Sequence, residues 1–475
     1  MGFGLRSKSQ NSPPATAFVL SEPEPQVRRA VISWNDVRAW AKTPQAEQAG
    51  PPKRGWRAID IDGVFAFALF IPLLFAGNLG QAGKPVFIGL FALYAVVRHR
   101  ELPRILAPRL FLLIPAVLAA ASTYWSELPD LSLTQGLGLG VTILAAMMLS
   151  AAPSPGAVFR GVTAAYFTYL VAARASGVTM QGGMGEIGAT SALVALGATV
   201  MAVRERSWIW AAIGTVAGAF EISALVQARP ASAVLGAAVA LAVILLLTAV
   251  VKARVWVRAV VAFVTGAGAL AVGIFARTIA AWLTEFGQGW VASNPNLMAP
   301  SDGWAQARAL IAKQQLLGKG YYGVWHSEPA ASATHAAASV AQAPGVLHNS
   351  YIDILLQFGW VGLWVIGITV TLAVLGFARR FVWRPNLALC LWAGVLAYEL
   401  VRIQLDVIGY APFSTTALLL AAALGAAFSP ELAARPDRKV PPERLEPASV
   451  THLHEYRERK AKKADPAFRH PDRPS

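Results

Sequence analysis

Residues 348–363 have the sequence HNSYIDILLQFGWVGL, which ends a long polar stretch and begins an apolar one that continues to residue 377. The length of this apolar run predicts a membrane-spanning helix. His348 and Asn349 stand where the chain enters that helix, and Gly359 and Gly362 follow within it. Membrane insertion alone does not explain an imidazole at this boundary. An imidazole can take or give a proton near neutral pH, which suits a reaction at this position. The stretch therefore predicts a functional group at the membrane surface.

The rest of the chain has the composition of a polytopic membrane protein. Of its 475 residues, 55% are hydrophobic and 14% are charged, and the mean hydropathy is +0.49. A soluble domain of this size carries about 25% charged residues. The predicted fold class is an all-α integral membrane protein with about 12 transmembrane helices. Their approximate positions are 61–82, 85–98, 106–124, 132–151, 157–174, 188–203, 207–225, 231–251, 257–276, 351–377, 386–404 and 408–428.

The distribution of basic residues predicts that both termini are cytoplasmic. With the N-terminus inside, thirteen Lys and Arg residues fall in inner loops and four in short outer loops, as the positive-inside rule requires. The inner set is Arg98, Arg100, Arg104, Arg109, Arg160, Arg204, Arg206, Lys252, Arg254, Arg258, Arg379, Arg380 and Arg384; the outer set is Lys84, Arg174, Arg229 and Arg402. The chain thus divides into a mostly disordered leader (1–57), a membrane domain (58–428) and a basic tail (429–475).

Several classes of function are disfavoured by the sequence. The net charge is +15, and of the 41 Lys and Arg residues nine lie before residue 58 and eleven after residue 428, beside the anionic inner leaflet. No aromatic-basic pattern indicates nucleic-acid binding. His326 and His335 have no Cys or carboxylate set at ligand spacing, so no metal site is predicted. No nucleotide-binding loop or nucleophile elbow is present, and no cofactor is expected. Membrane lipids are the expected surroundings.

One outer connection, residues 277–347, is far longer than the others and lies between predicted helices 9 and 10. Its first half has helical periodicity in Trp282, Phe286 and Trp290, and again around Trp304. Residues 326–342 are rich in Ala and Ser and predict a flexible loop. A connection of this length is typically a functional lid or a passive insertion. Both interpretations are open.

Charged residues near the predicted outer face supply binding candidates. Arg229 lies between two apolar segments, where it either grips a pyrophosphate bidentately or snorkels to the interface. Glu221, two turns earlier, is either a functional carboxylate or a buried partner of an arginine. Arg402 lies on one helix face with Glu399 and Asp406, which favours mutual neutralisation and substrate contact about equally.

Three further candidates lie in the large loop and at its end. Arg308 is a loop cation that is either solvated or available to a substrate. His348 and Asn349 each have a structural alternative, since either can form hydrogen bonds to the backbone at a helix start, and Asn349 is a good N-cap. Their joint position at the end of the only large outer loop favours function.

Four stretches resemble the bacterial O-antigen ligase and Wzy-type polysaccharide polymerase family, especially its exopolysaccharide-polymerase branch. Together they span roughly residues 110–425. The most specific is H-N-x-Y-I-x-x-L-L-x-x-G-x-x-G-L at 348–363. The others are YWSELP at 124–129, similar to W-S-x-x-P; QAR at 227–229, similar to S-R-T; and Trp304 followed by LLGKGYYGVW at 316–325, similar to W-(x11)-P-L-L-G-x-G-Y-G-x-F-W with Gln315 in place of the proline.

The resemblance implies an inner-membrane glycosyltransferase of the GT-C type with one large periplasmic loop. Such enzymes transfer a glycan from undecaprenyl pyrophosphate to a sugar hydroxyl of a glycan or lipid A-core acceptor, without metal or nucleotide sugar. Position by position, His348 would be catalytic and Arg229 would bind the pyrophosphate. Asn349, Arg402, Arg308, Glu221 and Tyr321 are the further candidates for pyrophosphate or glycan binding.

One departure concerns the family's loop element T-G-R-T, which is Met298 to Ser301 here and has no arginine. Arg277, Arg308 or Arg402 is the available substitute. The competing function is a non-enzymatic polytopic carrier or flippase for the same lipid-linked glycans. Charged residues at outer helix ends, rather than at mid-membrane, favour the enzyme.

Overall fold

The computed structural model describes residues 60–177, 183–228, 230–286, 302–323, 349–403, 405 and 410–429. These residues are helical or irregular, and no β-strand occurs among them. The α-helices are α1 (Ile61–Leu74), α2 (Ala76–Leu79), α3 (Gly83–Val97), α4 (Leu102–Leu106), α5 (Ile114–Ala121), α6 (Pro129–Ser150), α7 (Pro155–Ala175), α8 (Gly183–Arg204), α9 (Trp208–Ala228), α10 (Ala231–Ala249), α11 (Val255–Phe286), α12 (Asp302–Lys313), α13 (Ser350–Trp383), α14 (Leu387–Arg402) and α15 (Thr415–Ala426). Short 3-10 turns occupy Gly80–Ala82, Ala107–Leu113 and Ser122–Tyr124.

Within the described part of the chain, nine helical segments are long and apolar enough to cross a membrane. They are Ala76–Val97, Leu102–Tyr124, Pro129–Ser150, Pro155–Ala175, Glu186–Arg204, Trp208–Gln227, Ser232–Ala249, Val255–Ala276 and Ser350–Trp383. This confirms the helical fold and its compatibility with a polytopic membrane protein. The number of twelve spans stays a prediction, because α1, α14 and α15 have only 14, 16 and 12 residues, whereas a full span needs about 20.

Exposed tryptophans mark two levels that match the thickness of a bilayer. On α13, Trp364 and Trp383 are both exposed and, at 1.5 Å per residue, lie about 28 Å apart along the helix. The hydrocarbon core of a bilayer is about 30 Å thick, and tryptophan is enriched at both of its interfaces. Trp208 and Trp256 are also exposed, each at the start of a long helix. The spacing supports a membrane-spanning orientation of α13.

Arginines close the C-terminal end of α15. Arg109 is fully buried and its Nε donates a hydrogen bond of 3.1 Å to the carbonyl of Gly425. Arg380 donates to the carbonyls of Ala426 and Ala427 at 3.0 and 3.1 Å. The last carbonyls of a helix have no partners within it and carry its partial negative charge, so guanidinium groups stabilise this end. These two predicted inner-loop arginines therefore have a structural role.

The same end of the bundle holds two other arginine ion pairs. The guanidinium of Arg98 contacts the buried carboxylate of Asp62, with its Nη2 2.6 Å from Oδ2. Arg160 pairs with Glu205 at 2.7 Å. A Cβ at Gly161 would contact Ala66 at 3.0 Å, so the starts of α1 and α7 are adjacent. We name this side of the bundle, defined by Arg98, Arg109, Arg160 and Arg380, the arginine-rich end.

Candidate functional site

Helix α13 is broken at Gly359, near its N-terminal end. The backbone there has φ +62° and ψ −159°, a conformation that favours glycine and interrupts the helical ladder. The carbonyls of Leu356 and Gln357 instead accept hydrogen bonds of 2.9 Å from the backbone N–H groups of Lys319 and Gly320. The loop after α12 thus supplies partners for carbonyls that precede the break.

The other side of the break is satisfied by the same loop. The N–H of Trp360 donates to the carbonyl of Gln315 at 2.9 Å, and the N–H of Val361 donates to the carbonyl of Leu316 at 3.2 Å. Unpaired backbone groups at membrane depth are costly, and irregular backbone is tolerated there only when protein or water satisfies it. Residues 315–320 and 356–361 therefore depend on each other, and we call this set of four hydrogen bonds the helix-break pairing.

Glycines are required where the two backbones meet. A Cβ at Gly359 would lie 2.6 Å from the carbonyl oxygen of Gln315, and a Cβ at Gly318, whose φ is +63°, would lie 2.6 Å from the carbonyl carbon of Gln357. Real Cβ atoms do not approach backbone so closely. Two glycines of the motif stretches at 316–325 and 348–363 are thus explained by packing and backbone conformation.

The turn at 125–129 packs against the same loop. Trp125 donates from Nε1 to the carbonyl of Leu317 at 3.0 Å, and Lys319 forms an ion pair of 2.7 Å with Glu127. A Cβ at Gly320 would lie 2.6 Å from the Cα of Ser126. Three of the four motif stretches predicted from the sequence are therefore brought together in space.

Tyr321 anchors the loop in the bundle. Its N–H donates to Ser122 Oγ at 2.9 Å, and its carbonyl accepts from Ser132 Oγ at 2.6 Å. Its hydroxyl donates to the carbonyl of Tyr410, and its ring stacks on Phe358 with 5.2 Å between centroids. The residue is fully buried, and burial raises the pKa of its hydroxyl well above the ordinary value. Tyr321 is positioned to hold the loop, and its contact with a substrate stays a prediction.

A buried polar network joins α13 to the loop and to the segment before α15. Asp353 is 1% exposed and accepts hydrogen bonds from the Tyr410 hydroxyl and from Gln357 Nε2, the latter at 2.7 Å. Gln357 Oε1 in turn accepts from the N–H of Tyr322 at 2.9 Å. The Tyr410 hydroxyl is the donor in its contact with the Asp353 carboxylate, so this carboxylate links α13 to the segment before α15.

This network was not among the contacts predicted from the sequence. Asp353 and Gln357 are spaced i, i+4 in an otherwise apolar segment, and polar residues at that spacing share one helix face. Such residues inside a membrane segment indicate a partner or a function. The spacing of Asp353 and Gln357 could therefore have indicated a buried polar network. No sequence pattern indicated that Tyr410 belongs to it, because Tyr410 is distant in sequence.

Asn349 is the N-cap of α13. Its side-chain oxygen accepts from the N–H groups of Tyr351 and Ile352 at 2.9 and 3.2 Å. The N–H of Ser350 donates to the carbonyl of Ile403 at 2.9 Å, which fixes the start of α13 beside the end of α14. The capping interpretation is thus what the structure shows, and a contact with substrate stays a prediction. His348, the preceding residue, lies outside the described residues.

Arg402 is buried in an ion cluster between α8 and α14. It is 1% exposed, its Nη2 lies 2.6 Å from Glu186 Oε2, and its Nη1 lies 3.9 Å from Glu399 Oε2. The guanidinium also stands 5.1 Å from the centre of the Tyr398 ring. Glu186 was not predicted as its partner, and Asp406 lies outside the described residues. Glu186 and Glu399 therefore offset much of the charge of Arg402 within the protein.

The remaining candidates are distributed around this end of the bundle. Glu221 in α9 is fully buried, and neither carboxylate oxygen has a hydrogen-bond partner among the described residues. Arg308 lies on α12, whose apolar face packs on α13 through Ala307 and Leu356. Helix α12 covers the stretch around Trp304 for which the sequence predicted helical periodicity. Arg229 lies outside the described residues.

No group of three His, Cys, Asp or Glu side chains suited to a metal ion occurs within the described ranges. What the site presents instead is a set of hydrogen-bonding and charged groups. The cluster formed by residues 125–129, 315–323, 349–362 and Tyr410 is named the outer cluster below.

The chain matches no protein-family model, and no curated protein is significantly similar to it. Membership of the O-antigen ligase and polymerase family therefore stays a prediction from the motif stretches.

We expect Gly359→Ala to release the loop from α13, because a Cβ at φ +62° is strained and meets the Gln315 carbonyl oxygen at 2.6 Å. Backbone strain of this kind costs about 1–3 kcal/mol before any clash is counted. Hydrogen exchange at residues 315–322 in detergent should increase at least tenfold. Gly367→Ala is the matched control on the same helix, since a Cβ there has no neighbour within 4 Å. Equal exchange in the two variants would contradict the helix-break pairing.

Proposed function

We propose that this chain is a multi-pass glycosyltransferase of the bacterial inner membrane, with both termini in the cytoplasm and its large loop in the periplasm. It would take a glycan from undecaprenyl pyrophosphate and pass it to a sugar hydroxyl. The acceptor is either a growing polysaccharide or a lipid A-core, as in exopolysaccharide polymerases and O-antigen ligases. The proposal includes the full set of about twelve spans in a GT-C-type arrangement.

The observation that carries the proposal is the convergence of three motif stretches in the outer cluster. Trp125 and Leu317 are 192 residues apart in sequence and are hydrogen-bonded. The loop bearing Leu317 is in turn paired with the backbone on both sides of Gly359. Motifs that were recognised separately in the sequence thus form one contiguous cluster, as residues that serve one site should.

The position of the cluster in the bundle also supports the proposal. It is built from the N-terminal end of α13, whereas Arg380 of the arginine-rich end lies near the C-terminal end of the same helix. By the positive-inside rule the arginine-rich end would be cytoplasmic. The outer cluster would then face the periplasm, where lipid-linked glycans are polymerised and ligated.

Among the cations, Arg229 is the strongest candidate for the pyrophosphate. It lies in the short connection between α9, which ends at Ala228, and α10, which begins at Ala231. A planar guanidinium binds phosphate oxygens through two parallel hydrogen bonds. Arg402 is a weaker candidate because Glu186 and Glu399 already offset its charge.

The proposed reaction needs no added energy source, because the phosphate–sugar bond of the donor is already activated. His348 would take the proton of the acceptor hydroxyl while that oxygen attacks the anomeric carbon. The bond between the anomeric carbon and the phosphate oxygen breaks, and undecaprenyl pyrophosphate leaves with the bonding electrons. A single displacement of this kind inverts the anomeric centre. The protein contributes position and charge stabilisation.

Replacing His348 tests the proposed base. We expect His348→Ala to slow glycan transfer about 100-fold or more, the usual contribution of a general base, while donor binding persists. Purified enzyme, lipid-linked oligosaccharide and acceptor provide the assay, with donor affinity measured in parallel. His335→Ala, a histidine in the Ala/Ser-rich part of the same loop, is the matched control. Full transfer by His348→Ala would favour a carrier or a different catalytic group.

Replacing Arg229 tests the pyrophosphate contact separately. We expect Arg229→Lys to weaken donor binding at least tenfold, because a point charge does not reproduce the bidentate fork. Correct membrane insertion should be retained, as judged by expression and by a monodisperse elution profile. Arg174→Lys, at another predicted outer position, is the control. Unchanged donor affinity in Arg229→Ala would show that this arginine only snorkels.

A further inference from the structure

A cavity of about 60 Å³ lies between helices α10, α11, α13 and α14, away from the outer cluster. Its walls include Leu247, Gly266, Val374, Phe381 and Leu396. Gly266 and Val374 are only half-buried, so the cavity reaches the lipid-facing surface between α11 and α13. None of the residues assigned to the proposed reaction lines it.

The chemistry of the walls favours hydrocarbon over water. Among the described residues that line the cavity, only Thr265 has a polar side chain, and its hydroxyl already donates to the carbonyl of Val261 in its own helix. The volume is several times what one water needs, but a buried water also needs two to four polar partners. Because those partners are absent from the walls, the cavity suits an apolar chain.

One end of the cavity lies at the level of lipid head groups. On α11, Ala262 and Ala269 line it, and the helix begins one to two turns earlier with the exposed Trp256. On α13, Phe381 lines it and the exposed Trp383 ends the helix. Tryptophan marks the interface of a bilayer, so the cavity extends inward from the surface of one leaflet.

A cation without a partner in the described structure stands at that end. Arg258 precedes Ala262 by four residues and Thr265 by seven, so it shares their helix face. Its Nε–H is buried and donates to no partner among the described residues, and no described carboxylate forms an ion pair with its guanidinium. The other arginines of the arginine-rich end, such as Arg98, Arg109 and Arg380, are satisfied by carboxylates or carbonyls.

We propose that this cavity receives a segment of one acyl chain of an anionic glycerophospholipid, whose phosphate is held by Arg258 and whose remaining chain lies along the surface between α11 and α13. The apolar walls select a hydrocarbon chain, and the unpartnered guanidinium selects a negatively charged head group. The site is distinct from the proposed donor site, because it lies at the leaflet of the arginine-rich end.

Lipid binding to the full chain in detergent tests the site directly. Native mass spectrometry would follow titration with dioleoyl phosphatidylglycerol and, separately, with the zwitterionic dioleoyl phosphatidylcholine. We expect one phosphatidylglycerol per chain to bind about fivefold more tightly than phosphatidylcholine, the factor for one basic residue at an anionic surface. Arg258→Gln should remove this preference. Arg204→Gln, an exposed arginine at the end of α8, should retain it.

A second variant tests the cavity rather than the charge. A Cβ at Gly266 would contact only Val374 Cγ1, at 3.4 Å, so Gly266→Leu should fill the cavity and abolish tight binding of both lipids. The proposal would be overturned if Gly266→Leu bound lipid as the wild type does, or if the wild type showed no preference for phosphatidylglycerol. It would also be overturned if two chains associated and excluded lipid from this cavity. If Gly266→Leu fails to fold, Arg258→Gln, at a partly exposed position, decides alone. A retained preference for phosphatidylglycerol in Arg258→Gln also overturns the proposal.

Discussion

A helix that is interrupted inside a membrane protein must find other partners for its backbone, and this constraint organises the outer end of the bundle. The break at Gly359 leaves carbonyls and N–H groups that the helical ladder cannot satisfy. Residues 315–320 supply the missing donors and acceptors through four hydrogen bonds. Because the loop also carries Lys319 and Tyr321, its pairing with α13 fixes the turn at Trp125 and the segment at Tyr410. A single backbone requirement thus assembles residues from distant parts of the chain.

The two ends of the bundle are stabilised in different ways. At the arginine-rich end, Arg109 and Arg380 close α15 by binding its last carbonyls, which are static contacts at a helix terminus. At the outer end, Asp353, Gln357 and Tyr410 form a buried network. These hydrogen bonds restrict the rotamers of the three side chains. Fixed side chains at the outer end would suit the proposed transfer reaction, because small misplacements of reacting groups are costly.

Much of the helical fold could be predicted from the sequence because hydrophobic runs and polar boundaries are local signals. Each of the twelve predicted apolar segments contains a helix among the described residues. The predicted helix around Trp304 is present as α12. Helix α1 ends at Leu74, earlier than the segment 61–82 suggested, because the backbone turns at Phe75, whose φ is −92° and ψ 18°. Apolarity alone does not reveal such a turn.

The site was only partly predictable, because its contacts join residues far apart in sequence. The capping role of Asn349 and the glycines at 359 and 362 could be anticipated from local pattern. The pairing of Arg402 with Glu186 spans 216 residues, and the contact of Tyr410 with Asp353 joins a connecting segment to a helix. No spacing rule predicts contacts of that kind from one sequence. Their recognition requires the tertiary arrangement.

The most direct test of the account is photo-crosslinking to a radiolabelled undecaprenyl-pyrophosphate glycan. A photoreactive amino acid would replace Tyr124, which is 89% exposed beside the outer cluster, or Trp208, which is exposed at the start of α9. The account predicts donor crosslinking at position 124, competed by unlabelled donor, and none at 208. Crosslinking at 208 alone, or no competed crosslink at 124, would contradict a donor site at the outer cluster.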